Sequence, residues 1–176
     1  MAFYSIGCSC LPKFGIRTSG DTGTNFFDWL ITDVNALEKS LVGFSEEQFL
    51  NNGVEVCDNE LRVKDLYTGL RFQHDFPVFS NDKIDPSKID GAISEIREKY
   101  IRRRNRLFEE FHNDNSPTLI RYEWEIANGD EGREETYARR IKDVIDASLG
   151  KDYNLIVISN DILSNRVKEN TLFFKS

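Results

Sequence analysis

Cysteine and histidine are scarce in this chain: its 176 residues include three of the first and two of the second. Three cysteines are odd in number and too few for a disulfide-stapled scaffold, which fits a reducing, cytoplasmic setting. Two histidines rule out the metal phosphohydrolase sites that need several, although His74-Asp75 looks like the centre of one. Cys8, Cys10, Cys57 and His74 could in principle form a zinc set, but the one-residue gap between Cys8 and Cys10 is poor for a zinc knuckle. No metal and no cofactor is therefore expected. No apolar run approaches the roughly 20 residues of a membrane span. The first residues lack the basic region and apolar core of a signal peptide. An excess of positive charge is missing too. Lysine and arginine number 23 against 30 acidic residues, a net charge of -7, which argues against nucleic acid as the main partner. There is no Gly-x-x-x-x-Gly-Lys loop, and the pair Gly20 and Gly23 follows no strand.

What is present describes an ordinary globular protein, with 39% hydrophobic and 30% charged residues. The length suits one domain, residues 1–176, with a sizeable core. Ala2 to Ile6 reads as a strand closed by Gly7, and residues 10–17 as a short helix with Pro12 in its first turn. "FFDWL" at 26–30 is an aromatic cluster, and Asp33 is placed to cap a helix over 33–42. Phe44 to Leu50 suggests another short helix. The stretch from Val54 to Phe76 alternates apolar and polar residues around the turn signals Asp58-Asn59 and Thr68-Gly69, the pattern of a hairpin or meander. Ser87 opens the longest helix, ending near Phe111 or His112, where His112 favours the C-terminal dipole. Strands at 116–126 and 153–160 flank an acidic loop and a helix near 134–148; "TLFFKS" reads as a last edge strand. Strands separated by helices predict an α/β fold: a single three-layer domain with a partly parallel sheet and a β-hairpin or meander insertion in the middle.

The chemical candidates are few. A reactive thiol must be partly ionised at neutral pH, and a helix N-terminus favours the thiolate. Cys10 stands where the strand-and-turn gives way to the first helix, so it is favoured over Cys8; as small hydrophobes both also fit a packed core. His74, among aromatic residues, has the side chain usual for a general base. Asp28, between Phe27 and Trp29, is either a surface residue between core anchors or a buried acceptor needing a partner. An acid that orients a histidine is the third member of many Cys-His sites, and Asp28 or Asp75 fits that role. In the long helix a 3.6-residue step runs Ile89, Ile93, Ile96, Tyr100, Leu107 and Phe111, and its missing step falls between Arg103 and Arg104. Arginine in line with an apolar stripe needs a partner: a carboxylate or an anionic substrate. Arg121, inside an apolar strand, is a second such arginine.

The order "SIGCSC", "FFDWL", "HDFP", "YIRRRNRLF", "TLIRYEW" resembles a family of uncharacterised bacterial and viral proteins, of unknown function, assigned as papain-like cysteine peptidases. That family pattern is a Ser-Leu-Gly-x-x-Cys start, Pro-Phe-Asp-Trp, His-Asp-Phe, an Arg-Arg helix and an arginine in the next strand. The resemblance spans Ser5 to about Trp124. It puts the family cysteine on Cys10, its Asp-Trp on Asp28-Trp29 and its histidine on His74. Asn25-Phe26-Phe27 stands where a proline usually precedes Phe-Asp-Trp. Cysteine before histidine is the papain-like order, whereas a strand leading into the cysteine looks more like an open α/β sheet.

The expected activity is thus a cysteine-dependent hydrolase, thiol-protease-like, or an acyl- or glycosyl-type transferase. Cys10 attacks, His74 is base then acid, and Asp28 orients it. Arg103, Arg104, Arg121, Trp29 and Asp75 face a small-molecule, glycan or peptide substrate, one with an acidic group if the arginines bind it. Two alternatives remain. One is a non-proteolytic protein of surface-glycan or cell-envelope metabolism binding a sugar or phosphate; the other is a catalytically inert binding module.

Overall fold

The computed structural model describes residues 2–7, 11–18, 23–123, 133–150, 152–159, 166–168 and 171–175. Cys8, Cys10, Trp124 and the acidic loop before residue 133 lie outside the described residues. The architecture is mixed α/β, built on two sheets.

The larger sheet contains β1 (Phe3–Ser5), β6 (Thr118–Glu123), β7 (Asn154–Ser159), β9 (Thr171–Lys175) and β8 (Arg166–Lys168), in that spatial order. The first four are parallel, and β8 runs antiparallel to β9. Leu155 and Val157 of β7 are fully buried. The near-continuous apolar run "NLIVIS" is what an inner parallel strand needs. The C-terminal strand is an inner strand, not the expected edge. The edge on that side is β8, three residues paired antiparallel to β9.

The second sheet is antiparallel, ordered β2 (Leu30–Ile31), β5 (Arg71–Phe72), β4 (Arg62–Asp65), β3 (Val54–Cys57). β3, β4 and β5 form the expected meander. Asp58, Asn59 and Glu60 turn the first hairpin with φ of 53°, 58° and 68°, a conformation that asparagine and aspartate tolerate best. At the second turn the buried Asp65 carboxylate accepts from Thr68 N and Oγ1 at 2.9 and 2.5 Å.

Four helices complete the described fold: α1 (Leu11–Thr18), α2 (Val34–Leu41), α3 (Ile89–Asn113) and α4 (Arg133–Leu149). Asp33 caps α2, accepting from Ala36 N at 2.9 Å. A 3₁₀ turn at Pro86–Lys88, capped by Asp85, leads into α3. Ile89, Ile96, Tyr100, Leu107 and Phe111 are its buried stripe, as the 3.6-residue period requires. Residues 44–50 make turns instead of the expected helix. Leu50 takes φ of 60° and gives its N–H to Asp65 Oδ1 at 3.1 Å, so a side-chain carboxylate replaces the helical acceptor. Among the described residues no helix is long and apolar enough to cross a membrane.

An aromatic cluster joins the layers. Phe26 meets Phe27 and Tyr100 with ring centres 4.8 and 6.0 Å apart, and Phe72 meets Tyr100 at 5.1 Å. Edge-to-face pairs of this kind add to the hydrophobic gain of burial.

Candidate functional site

The site is assembled at the carboxyl end of β1, where open parallel sheets usually bind ligands. Gly7, just past β1, has φ of +84°. A side chain there would place its Cβ 2.6 Å from Thr32 Cβ. Only glycine lets the chain turn out of β1 beside the segment that follows β2. The described helix α1 begins at Leu11, the residue after Cys10 in the sequence.

α1 carries Lys13, which is buried. Its ammonium lies 3.3 Å from Asp28 Oδ2 and also donates to the Gly23 carbonyl. Asp28 is fully buried and accepts Asn25 N–H at 2.8 Å, while Asn25 Oδ1 accepts Phe27 N–H at 2.9 Å. The segment 25–28 is thus a closed polar knot between two buried phenylalanines, and Asp28 is the buried acceptor of the two readings open from sequence. Its Oδ1 has no hydrogen-bond partner. Burial raises the Asp28 carboxyl above its ordinary value, outweighing the Asn25 N–H, Lys13 and the Arg103 charge, which act the other way.

The knot sets the next residue, Trp29, at φ of 69°. Its indole meets the His74 imidazole edge-on, ring centres 6.1 Å apart. His74 is exposed and lines an open groove of about 410 Å³ with Leu61, Gln73, Phe76, Val78 and Asp82. So Asp28-Trp29 and His74, far apart in sequence, are brought together. The nucleophile expected to join them, Cys10, lies outside the described residues.

Both carboxylates expected to orient His74 have other partners. Asp28 is held by Lys13 and Asn25, as above. Asp75 is bound by Lys99 at 2.5 Å and by the Tyr100 hydroxyl at 2.7 Å. Burial, then the Asp75 charge, pushes the Tyr100 phenol far above its usual value, so it stays protonated and donates. Asp75, next to His74 in the chain, is thus an acceptor for α3, and the carboxylates expected to orient His74 are held by Lys13 and Asn25 and by Lys99 and Tyr100.

The arginines divide. Arg121 is fully buried; Nη1 donates to Ile6 O at 2.9 Å, Nη2 to Thr32 O at 2.7 Å and to Glu123 at 3.0 Å, and Nε to the Tyr137 hydroxyl at 2.9 Å. With its donors spent on protein acceptors, Arg121 ties segments together instead of meeting a substrate. Arg104 donates to Ser40 O and Leu41 O at 3.0 and 3.3 Å, and its guanidinium lies over the rings of Phe44 and Phe108. It satisfies carbonyls left open at the end of α2, so it too is structural. Arg103 differs. Its guanidinium stacks over Tyr100 at 5.0 Å, and its Nη1 is buried with no hydrogen-bond partner.

Comparison with protein-family models, with curated proteins and with solved structures finds no match. The site therefore stands on its own geometry. Lys13 is the residue of this candidate site that sequence reasoning missed. Its only sequence signal was a lysine on the side of a short helix that also presents Pro12 and Ile16, all three buried. Among the described residues no three His, Cys, Asp or Glu side chains gather as a metal site.

Proposed function

We propose that this protein is a cysteine-dependent hydrolase, or an acyl- or glycosyl-type transferase, with Cys10 as nucleophile and His74 as general base. The Trp29–His74 contact carries this reading. It sets a groove-lining histidine beside the residue that follows the Asp28 knot, and Lys13, three residues after Cys10, is part of that knot. In the simplest reaction the Cys10 thiol gives its proton to His74 and attacks a substrate carbonyl. His74 then protonates the leaving group, and water or a second acceptor releases the acyl group from sulfur. The first N–H groups of α1 would favour the thiolate and the oxyanion. Trp29 acts as a positioning residue through its ring contact with the imidazole, and Asp28 acts through the knot that precedes Trp29.

A slow alkylator applied across a pH series tests the reading on the whole chain. One thiol should titrate well below the ordinary value of about 8.5, and Cys10→Ser should remove that phase. Uniformly unreactive thiols would leave a second reading, a binding module that performs no chemistry. That reading is favoured by the ties both carboxylates make to other groups, Asp28 to Lys13 and Asn25 N–H and Asp75 to Lys99 and the Tyr100 hydroxyl.

A further inference from the structure

We infer that one face of α3, together with Thr24, forms a subsite for the phosphate group of a small molecule. Lys99, Arg102, Arg103 and Arg106 recur at intervals of three, one and three residues, which sets them on one side of the helix. With Thr24 they line an open cleft of about 320 Å³, and no carboxylate is among the described residues of its walls. Four cations share one small space in a chain whose net charge is -7.

Their present partners leave much of that charge unspent. Arg102 and Arg106 reach Glu98 and Glu110 only at 3.8 and 3.7 Å, in pairs that are about half or more exposed, an arrangement worth little in water. Arg106 also donates to the Thr24 carbonyl, which is neutral. Lys99 is paired with Asp75 at 2.5 Å and keeps further N–H donors. Among the described residues Arg103 makes no ion pair, and its Nη1 is both buried and unbonded. A buried donor without an acceptor is costly, and an oxygen supplied by a ligand would offset that cost.

Charge and shape select phosphate. A single carboxylate would leave several cations uncompensated, whereas a phosphate monoester or diphosphate carries two or more negative charges. Guanidinium forks match its oxygens two at a time. The volume suits a small head group, at the lower end of small-molecule sites. A nucleic-acid strand running on from the cleft would meet Glu98, Glu109 and Glu110 on the same helix. The cleft also adjoins the candidate reaction site: Lys99 holds Asp75, the neighbour of His74, and the Arg103 charge is felt at Asp28. That the phosphate belongs to a substrate rests on the proposed thiol chemistry; the binding itself does not.

Calorimetric titration of the full chain with inorganic pyrophosphate, inorganic phosphate and succinate tests the subsite. Pyrophosphate should bind saturably at one site and more tightly than succinate. Arg103→Met should weaken it by about tenfold or more, the scale of one charge-assisted hydrogen bond. Arg102→Gln, at an exposed position, should weaken it less, and it carries the test if Arg103→Met fails to fold. Arg139→Gln, an equal loss of charge on exposed α4, should leave binding unchanged. Absence of saturable pyrophosphate binding would overturn the inference. So would equal affinity for succinate, or an Arg139→Gln effect as large as that of Arg103→Met. Pyrophosphate binding without a reactive thiol would remove the thiol reading and keep the subsite; a reactive thiol without pyrophosphate binding would do the reverse.

Discussion

The indole of Trp29 stands edge-on to the imidazole of His74, with ring planes at 79°. The indole is half-buried and the imidazole exposed, and the ring contact restrains the imidazole at the surface of the groove. The backbone of Trp29 adopts a left-handed φ that a bulky residue takes only under constraint. The Asp28 knot supplies that constraint.

If Trp29 positions His74, losing the ring should cost turnover more than substrate affinity. Trp29→Leu should lower kcat by up to about 10²-fold, the scale of a slightly misplaced catalytic group, with KM little changed. Trp29→Phe should restore most of the rate. Steady-state kinetics on a generic ester or thioester, with unfolding curves alongside, separate this from a loss of fold.

The two N-terminal cysteines should differ. Cys10→Ser should abolish turnover and leave thermal unfolding near that of the parent. Cys8→Ser should keep most activity. His74→Ala should lose about 10²–10⁴-fold, the contribution of a general base. Activity lost only in Cys8→Ser would assign the nucleophile to the other thiol.

Asp28 gives a pH dependence of unusual sign for an ion-paired carboxylate. Its folded-state pKa is raised, so the folded protein holds a proton that the unfolded chain releases near pH 3.8. Its contribution to stability is therefore greatest below that pH and declines as pH rises through the folded-state value. Denaturant unfolding of the parent and Asp28→Asn from acid to neutral pH checks this. The stability difference, parent minus variant, should fall as pH rises; a rising difference would mean that Lys13 outweighs burial.

Gly7→Ala should be severely destabilising, because the new methyl meets Thr32 and the φ of +84° is unfavourable for alanine. Overpacking and left-handed backbone together cost about 2–4 kcal/mol. Adding Thr32→Gly should recover the steric part and leave the conformational part, a split readable from denaturation midpoints.

Removing the Arg121 fork should cost about 3–5 kcal/mol, the scale for breaking a buried charged contact. Arg121→Lys should recover little of this, since one ammonium cannot span Ile6 O, Thr32 O and Glu123 at once.

The long helix and its buried stripe were legible in the sequence because 25 residues repeat one period. The meander was legible from its turns. What periodicity could not say was what each arginine would meet. Arg103 and Arg104 share one edge of the stripe, yet Arg104 is claimed by carbonyls of α2 and Arg103 is not, a difference set by helix packing. The sequence shows the charge of Arg121, which suggests a substrate ligand, but not its partners Ile6 O and Thr32 O, which are distant in the chain. Strands of two or three residues, such as β2 and β8, carry too little pattern to be seen and exist only through their neighbours. The Asp28 knot combines contacts from residues 13, 23, 25 and 28, and none of its spacings is a recognised motif.

Arg121 joins β6 to the chain leaving β1 and to the chain leaving β2, and so links the parallel sheet to the antiparallel one. A side chain shared in this way makes the two sheets one cooperative unit. Opening the antiparallel sheet at β2 would expose Arg121's buried charge, and loosening β6 would strand the Thr32 carbonyl, so the two sheets should open together. Amide protons of Phe72 and Leu119 should therefore exchange through a common opening, with one shared protection that Arg121→Met divides in two.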